Sequence, residues 1–463
     1  MLPGFAGKPG TALQAGCLGA VAPILGHLWE KPVYWNPEIE TLSAEQLRQL
    51  QLERLRATLA RALASPFYRE RLAASDLRPG DLTSLEEVRR LPFTTKEDLR
   101  ARGPDFLTVP RDRLVRLHAS SGTTGQATVV YYTRTDIEAW AELVARSMYM
   151  TGVRPGDVFQ NMMGYGLFTG GLGFHYGGER LGCLTIPAGA GNSRRQVQLM
   201  VQFQTTVLHI IPSYALYLLN VFAEMGVDPR ELPVRIAFIG AEPHSEDMRR
   251  RIETAYGLKA YNSYGLSEMN GPGVAFECPE QNGMHVWEDA YLLEVVDPQT
   301  LETLPPGVVG ELVFTNLTRE GMPLIRYRTR DLASYEDAPC PCGRAMRRIS
   351  RIQGRTDDMI IIKGVNIFPL QIEKVLMSLP EVHTNYLVEL SRHNYNDIMT
   401  VKVEVKESFF KEDLRYLTNL RKRITEALKS ELLITPVVEL VEPNTLPVSE
   451  GKALRILDRR HEA

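Results

Sequence analysis

"TTVLHIIP" (Thr205–Pro212) is an apolar run closed by a proline, and the elements after it decide the fold. Ser213 to Met225 reads as a helix and "RIAFIG" (Arg235–Gly240) as the next strand. Ser245 stands where it can cap a helix running to Tyr256, and "KAYNSY" (Lys259–Tyr264) extends again. This is a βαβαβ pattern, which predicts a parallel sheet and an α/β fold. Ligands of such sheets bind beyond the carboxyl ends of the strands. Two motifs fall at those ends: "GAEP" (Gly240, Ala241, Glu242, Pro243) and "YGLSE" (Tyr264, Gly265, Leu266, Ser267, Glu268).

Upstream, Ser43 to Ala64 repeats apolar residues at helical period through Leu47, Leu50, Leu55 and Leu59, with Ser43 and Gln46 placed as a capping box. Next, "SSGTTGQ" (Ser120–Gln126) lies between two predicted strands, "RLVRLHAS" and "TVVYYT". Its small residues Ser120, Ser121, Gly122, Thr123, Thr124 and Gly125 leave backbone N–H groups free to face an anion. A Walker loop joins strand to helix with the spacing G-x-x-x-x-G-K-[ST]. Here the loop joins strand to strand and holds Gln126 after its last glycine, which excludes a P-loop NTPase. Downstream of "GRTDDMIIIKG" (Gly354–Gly364) the elements shorten. Strands at "TNYLVEL" and "MTVKVEVK", a helix from about Asp413 to Ser430 and "PVVELVE" predict a small α+β domain. The expected division is an N-terminal arm over 1–30, a large domain over 31–356 and a small C-terminal domain over 357–463.

The 463 residues, 44 % apolar and 24 % charged with a formal charge of −3, have the balance of a soluble globular protein. That charge gives no reason to expect nucleic acid or an anionic membrane as partner. The apolar segment "TALQAGCLGAVAPILGHLW" is broken by glycines, Pro23 and His27, and only Lys8 precedes it. It therefore reads as a mobile arm rather than a secretory signal, and the expected location is cytoplasmic. Five cysteines do not make a disulfide framework. Cys17 and Cys183 stand alone. Cys278, His285, Cys340 and Cys342 together offer three thiols and one imidazole, a closed tetrahedral set suited to structural zinc. The alternative is free, reduced cysteines.

Taken singly, the remaining signals have ordinary readings: the acid of "YGLSE" as a helix cap, Arg330 and Asp331 of "YRTRDL" as a surface ion pair, Lys452 as solvated surface. Their order does not. "SSGTTG", "GAEP", "YGLSE", "YRTRD", "GRTDD" and a glycine–lysine near the end follow one another as in the adenylate-forming acyl-CoA synthetases, and from about residue 30 onward the chain resembles that superfamily. Within it, "YWNPEIETLS", "LPFTTKEDLR", "HASSGTTG", "GYGLFTGGLGFHYG", "GPGVAFEC" and "HVWED" resemble the phenylacetate–CoA ligases. The resemblance implies two steps: a carboxylate attacks the α-phosphorus of ATP to give acyl-AMP and pyrophosphate, then the thiol of coenzyme A displaces AMP.

The same resemblance implies roles for residues of this sequence. Ser120 to Gly125 would cradle the outer phosphates, and Glu268, helped by Thr124, would hold Mg²⁺. Tyr264 would offer a face to the adenine, with Gly240–Pro243, Gly265 and Ser267 bordering the nucleotide. Asp331 would accept ribose hydroxyls, assisted by Arg355. Lys452 would bridge the carboxylate and the α-phosphate. Asp357 matches the hinge about which the small domain turns, carrying Lys363 and Gly364 toward a coenzyme A channel. Gln126, where lysine is common in the family, bears on ATP affinity rather than on the attack. The resemblance also supports the zinc set and implies a homodimer.

Tyr165, Phe168 and Gly170, with Gly240 and Ala241, are the candidate acid pocket, beside Met162 and Met163. A glycine-rich apolar segment suits a flat aryl acid, because glycine lets a ring approach the backbone. One rival shares the motifs, an adenylating synthetase with another acceptor such as a deazaflavin coenzyme; a nucleotide-binding protein without catalysis would require loss of Lys452 or Glu268, and both are present.

Overall fold

The computed structural model describes residues 34–75, 78–120, 127–362, 365–393, 396–410, 414–443, 445–447 and 455–460. The expectations for residues 1–30, Ser121–Gln126, Lys363, Gly364 and Lys452 lie outside the described residues.

The described chain opens with helices α1 (Pro37–Glu40), α2 (Ala44–Ala62), α3 (Pro66–Ala74) and α4 (Lys96–Arg102). Helix α2 carries the expected capping box: Ser43 Oγ accepts from Gln46 N at 3.2 Å, and Ser43 N donates to Gln46 Oε1 at 2.9 Å. Leu47, Leu55 and Leu59 are buried as the spacing predicts. Strands β1 (Leu114–Ser120) and β2 (Thr128–Thr133) form an antiparallel hairpin on either side of the Ser121–Gln126 segment, followed by α5 (Arg134–Met150).

The central α/β run is β3 (Val158–Asn161), α6 (Thr169–Leu181), β4 (Leu184–Ile186), α7 (Ser193–Phe203), β5 (Val207–Ile210), α8 (Pro212–Met225), β6 (Ile236–Gly240), α9 (Glu246–Tyr256) and β7 (Lys259–Leu266). Strands β4, β3, β5, β6 and β7 lie side by side and parallel. Successive residues of a strand face opposite sides, and here the two sides feed different cores. Val207, Ile236 and Phe238 join Trp140 and Phe174 on one face. Leu208, Ala237 and Ile239 join Met200, Leu218 and Ile252 on the other. Both faces are thus covered by helices, which is why these strands read as apolar runs without alternation.

After β7 the chain reverses. Strands β8 (Gly271–Glu277) and β9 (Met284–Val286) continue the sheet antiparallel. Strands β10 (Tyr291–Val296), β11 (Gly310–Asn316), β12 (Tyr327–Ala333) and β15 (Gly354–Arg355) form a second antiparallel sheet, while β13 (Tyr335–Glu336) and β14 (Arg348–Ile349) return to the edge of the first. The small domain follows: a hairpin of β16 (Ile360–Ile362) and β17 (Val365–Ile367), then α10 (Pro369–Ser378), β18 (Val382–His393), β19 (Asn396–Val405), α11 (Glu407–Phe410), α12 (Leu414–Leu432), β20 (Val437–Val441) and β21 (Ile456–Asp458). Its sheet order is β20–β19–β18–β21. The sequence reading missed α10 and β21, both of which are short.

The reversal at β7 depends on one glycine. A Cβ on Gly265 would lie 1.7 Å from the Gly271 carbonyl oxygen, and Asn270 and Gly271 take left-handed φ values of 73° and 68° to close the turn. Gly265→Ala is therefore expected to cost at least the ~1–3 kcal/mol typical of overpacking, read as a thermal midpoint lowered by several degrees. Gly80→Ala, whose added methyl meets nothing within 4 Å, is the control expected to leave the midpoint in place.

Candidate active site

The carboxyl edge of β6 and β7 gathers the candidate residues. Glu268 sits in a single helical turn, Ser267–Met269, at the tip of the reversal, and is 5 % exposed. Its backbone is held from outside: Arg319 Nη1 donates to the Glu268 carbonyl at 2.7 Å and Tyr132 Oη to the Ser267 carbonyl at 3.1 Å. Ser267 Oγ meets Thr169 Oγ1 at 3.2 Å. Lys96 Nζ stands 3.9 Å from Glu268 Oε1. Burial and the neighbouring Glu268 carboxylate hold the Tyr327 hydroxyl well above its ordinary pKa, so it stays a donor toward that carboxylate.

Asp331, on β12, does not pair with Arg330, which turns toward Glu311 at 3.8 Å. Instead Tyr264 Oη donates to Asp331 Oδ2 at 2.7 Å and Arg355 Nη1 to Asp331 Oδ1 at 2.7 Å. Burial pushes the Asp331 carboxyl up, and the Arg355 charge pulls against that rise. Each carboxylate oxygen keeps one lone pair for a further donor, so the group can still accept hydroxyls. The remaining fork of Arg355 holds Asp357, Nε to Oδ1 at 2.9 Å and Nη2 to Oδ2 at 3.0 Å. One guanidinium thus joins the candidate ribose acceptor to the candidate hinge. Tyr264 is buried, with its ring centroid 6.2 Å from that of Phe314.

At the end of β6, a Cβ on Gly240 would meet the Ser263 carbonyl at 2.6 Å, and Ala241 turns with φ of 67°. The turn exposes Ala241 and Pro243, while Glu242 Oε1 accepts from Ser213 N at 2.8 Å. His244 beyond it is buried. Burial and then the Arg351 charge drive its pKa down to about 3, leaving a neutral ring whose Nε2 accepts from Arg351 Nη1 at 2.8 Å.

In the candidate acid pocket, Tyr165 Oη accepts from Asn161 Nδ2 at 3.0 Å and lies 3.3 Å from His175 Nδ1, whose Nε2 is 3.1 Å from Glu179. Burial raises the Tyr165 hydroxyl to about 12. Phe168 caps α6 and is 51 % exposed. Most glycines of this stretch serve packing. Added Cβ atoms on Gly173 and Gly177 would strike Trp140 at 2.5 Å and Val144 at 2.4 Å on α5, and one on Gly171 would strike the Gly164 carbonyl at 2.5 Å. Gly170 differs, meeting only the Met163 Cε at 3.7 Å.

Elsewhere, Cys278, His285, Cys340 and Cys342 are all buried, and their ligating atoms lie within 4.8 Å of one another. Cys278 Sγ is 3.7 Å from Cys340 Sγ, and Cys342 Sγ is 3.2 Å from His285 Nε2. Donors about 2.0–2.3 Å from a shared tetrahedral ion stand about 3.5–3.8 Å apart, so the four side chains are grouped as a metal site requires. His285 Nδ1 lies 3.0 Å from the Met346 carbonyl, which selects the tautomer that turns Nε2 to the thiols.

Sequence reasoning missed Lys96, Tyr327 and the Arg351–His244 pair. Lys96 left one usable signal: a cation in the first turn of a helix opposes the macrodipole, so another contact must favour it there.

A two-part mixed α/β enzyme with its candidate nucleotide residues where the carboxyl edge of a parallel sheet meets a second, antiparallel sheet is the class that this geometry defines. The model of the AMP-binding enzyme family matches residues 48–317, and that of the AMP-binding enzyme C-terminal domain matches residues 364–460. A phenylacetate-coenzyme A ligase of Thermus thermophilus is 46 % identical over 92 % of this chain and 99 % of its own, and one of Pseudomonas putida is 45 % identical over 91 % and 96 %. A 2-hydroxyisobutyryl-CoA ligase, solved in the postadenylation state with an acyl-AMP, is 32 % identical and superposes with a TM-score of 0.88 over 93 % of both chains. The same enzyme in the thioesterification state superposes at 0.69 over 92 % of this chain and 93 % of its own. The chain belongs to the AMP-binding enzyme family, in its phenylacetate–CoA ligase branch. Among the described residues no helix is long and apolar enough to cross a membrane.

Tyr264→Phe removes the donor to Asp331 Oδ2 while leaving the ring in place. Leaving a buried acceptor short of one partner costs about 1–3 kcal/mol, so a lower thermal midpoint is expected. An unchanged midpoint would show that water replaces the hydroxyl.

Proposed function

We propose that the protein is an ATP-dependent ligase that activates phenylacetate, or a similar aryl acid, and transfers it to coenzyme A. The observation that carries this reading is the end-to-end likeness to phenylacetate-coenzyme A ligases, joined to the contact that brings Tyr264 of the parallel sheet onto Asp331 and Arg355 of the second sheet. In the first step the acid's carboxylate oxygen bonds to the α-phosphorus of ATP as the bond to the β-phosphate oxygen breaks, releasing pyrophosphate. In the second the thiol sulfur of coenzyme A bonds to the acyl carbon, AMP departs with the carboxyl-derived oxygen, and the thiol proton is lost.

Such transfers depend on positioning and charge neutralisation. Asp331 and Arg355 would fix the ribose, Tyr264 would border the adenine, and Gly240–Pro243 would pass between nucleotide and acid. Ser120–Gly125 would hold the outer phosphates, and Lys452 would neutralise charge developing during attack. Glu268 would be the protein carboxylate that holds Mg²⁺, whose charge would offset that of the pyrophosphate. Lys96, beside Glu268, would supply near the phosphates the positive charge that Gln126 does not. Asp357 would serve as the hinge between the two steps, with Lys363 and Gly364 then turned toward coenzyme A. The buried Cys278, His285, Cys340 and Cys342 set would hold a structural zinc ion. A cytoplasmic homodimer completes the reading.

AMP release from ATP and coenzyme A across a panel of acids tests the substrate class. Neutral-ring arylacetates are expected to exceed acetate by a wide margin, because the Tyr165–Gly170 segment is glycine-rich and apolar and itself carries no basic residue. Activity confined to short aliphatic acids would overturn the assignment.

Purified protein is expected to carry about one zinc per chain, set by the four-donor site. Cys340→Ser should lose the metal and lower the thermal midpoint. A metal-free preparation with the same midpoint would remove zinc from the reading.

A further inference from the structure

Helix α9 belongs to the large domain and begins just past the Gly240–Pro243 turn, while α10 belongs to the small domain. The ends of a helix leave backbone N–H groups at the start and carbonyls at the finish without partners, and carry partial charges of opposite sign. These two helices satisfy one another. Glu373, on α10 and 5 % exposed, accepts from Ser245 N, the N-cap residue of α9, at 2.8 Å. In return Arg251, on α9, donates through Nη2 to the Met377 and Leu379 carbonyls at 2.6 and 2.8 Å and through Nη1 to the Val382 carbonyl at 3.3 Å. Those carbonyls are the finish of α10 and the turn beyond it. Anion meets a helix start and cation meets a helix end, both across the domain boundary.

Two further observations tie this contact to the chemistry. Glu373 lies within the field of Arg455, which is three residues past Lys452 and is fixed to the small domain by Asn385 Oδ1 at 3.0 Å and by the Tyr386 ring at 4.4 Å. Burial raises the Glu373 carboxyl to about 7 even with the Arg455 charge drawing it down. The chain also superposes far better on its relative in the postadenylation state than on the same relative in the thioesterification state. The apolar core is continuous across the same boundary, from Ile252 of α9 to Ile372 and Leu376 of α10.

We infer that Glu373 and Arg251 are positioning residues: their reciprocal caps hold the small domain in the adenylate-forming arrangement, and both must part before the thioester forms. This rests on the two-step reading above. None of the family motifs contains either residue. Because the caps are charge-assisted hydrogen bonds with fixed direction, a small rotation about Asp357 breaks them together rather than weakening them gradually.

The test separates the half-reactions in the full-length enzyme. Adenylation is read as phenylacetate-dependent exchange of pyrophosphate into ATP without coenzyme A, and transfer as single-turnover thioester formation from synthetic phenylacetyl-AMP. Arg251→Ala and Glu373→Ala are each expected to slow adenylation about tenfold, the factor carried by one lost charge-assisted hydrogen bond, while transfer stays level or quickens. Arg251→Lys and Glu373→Gln, which keep a donor and an acceptor, should recover part of the adenylation rate and guard against misfolding as the cause. Equal slowing of both half-reactions, or no change in either, would overturn the latch when Lys452→Ala still abolishes adenylation alone. Equal slowing by Lys452→Ala as well would overturn the two-conformation reading together with the latch.

Discussion

The carboxylate of Asp331 is the joint on which the site depends. Through Tyr264 it is tied to the last parallel strand, through its own backbone to the second sheet, and through Arg355 to the strand that leads into the small domain. Three elements distant in sequence therefore share one buried acceptor group. A carboxylate in that position is tolerable only while both donors are present, since burial disfavours its charge. The same requirement that keeps the residue stable keeps its remaining lone pairs aimed at one place.

Around this joint the charges are arranged in alternation. Glu268 stands between Lys96 and Tyr327, Arg355 between Asp331 and Asp357, and Arg351 between Glu246, Glu277 and a neutral His244. Lys96 clarifies the substitution at Gln126. Lys96 brings positive charge from helix α4 to within 3.9 Å of Glu268, which under the proposed reading is a second source of the charge a loop lysine would supply. The Cys278, His285, Cys340 and Cys342 set lies apart from this network. His285 and Met284 on β9 pair with β14, so a metal there would clamp the antiparallel extension of the sheet and leave the parallel edge untouched.

The β5–α8–β6–α9–β7 succession was legible in the sequence because each strand is buried on both faces and each helix is amphipathic, so local pattern and tertiary environment agree. The α2 capping box was legible for the same reason: its partners are three residues apart. The glycines of the Gly164–Gly177 stretch were less so. Read alone they suggest room for a ligand, yet Gly173 and Gly177 are there to let α6 lie against Trp140 and Val144, a demand made by another helix. Arg251 and Glu373 lie outside every quoted motif, while Lys96 and Tyr327 lie inside "LPFTTKEDLR" and "YRTRD" without the wording showing what they meet. Each acquires its meaning from a partner distant in the sequence, more than a hundred residues away except for Tyr327, whose partner Glu268 lies 59 residues before it.

By itself, then, the amino-acid order determined the parallel α/β architecture, the family and the identity of the motif residues, because those rest on periodicity and on short runs whose members act together. Only the tertiary structure decided which charges meet: Asp331 with Arg355 and Tyr264 rather than with Arg330, Lys96 with Glu268, and Arg251 and Glu373 with the ends of each other's helices. Electrostatic partnership is set by distance and burial in three dimensions, and neither quantity is encoded in the spacing of residues along the chain.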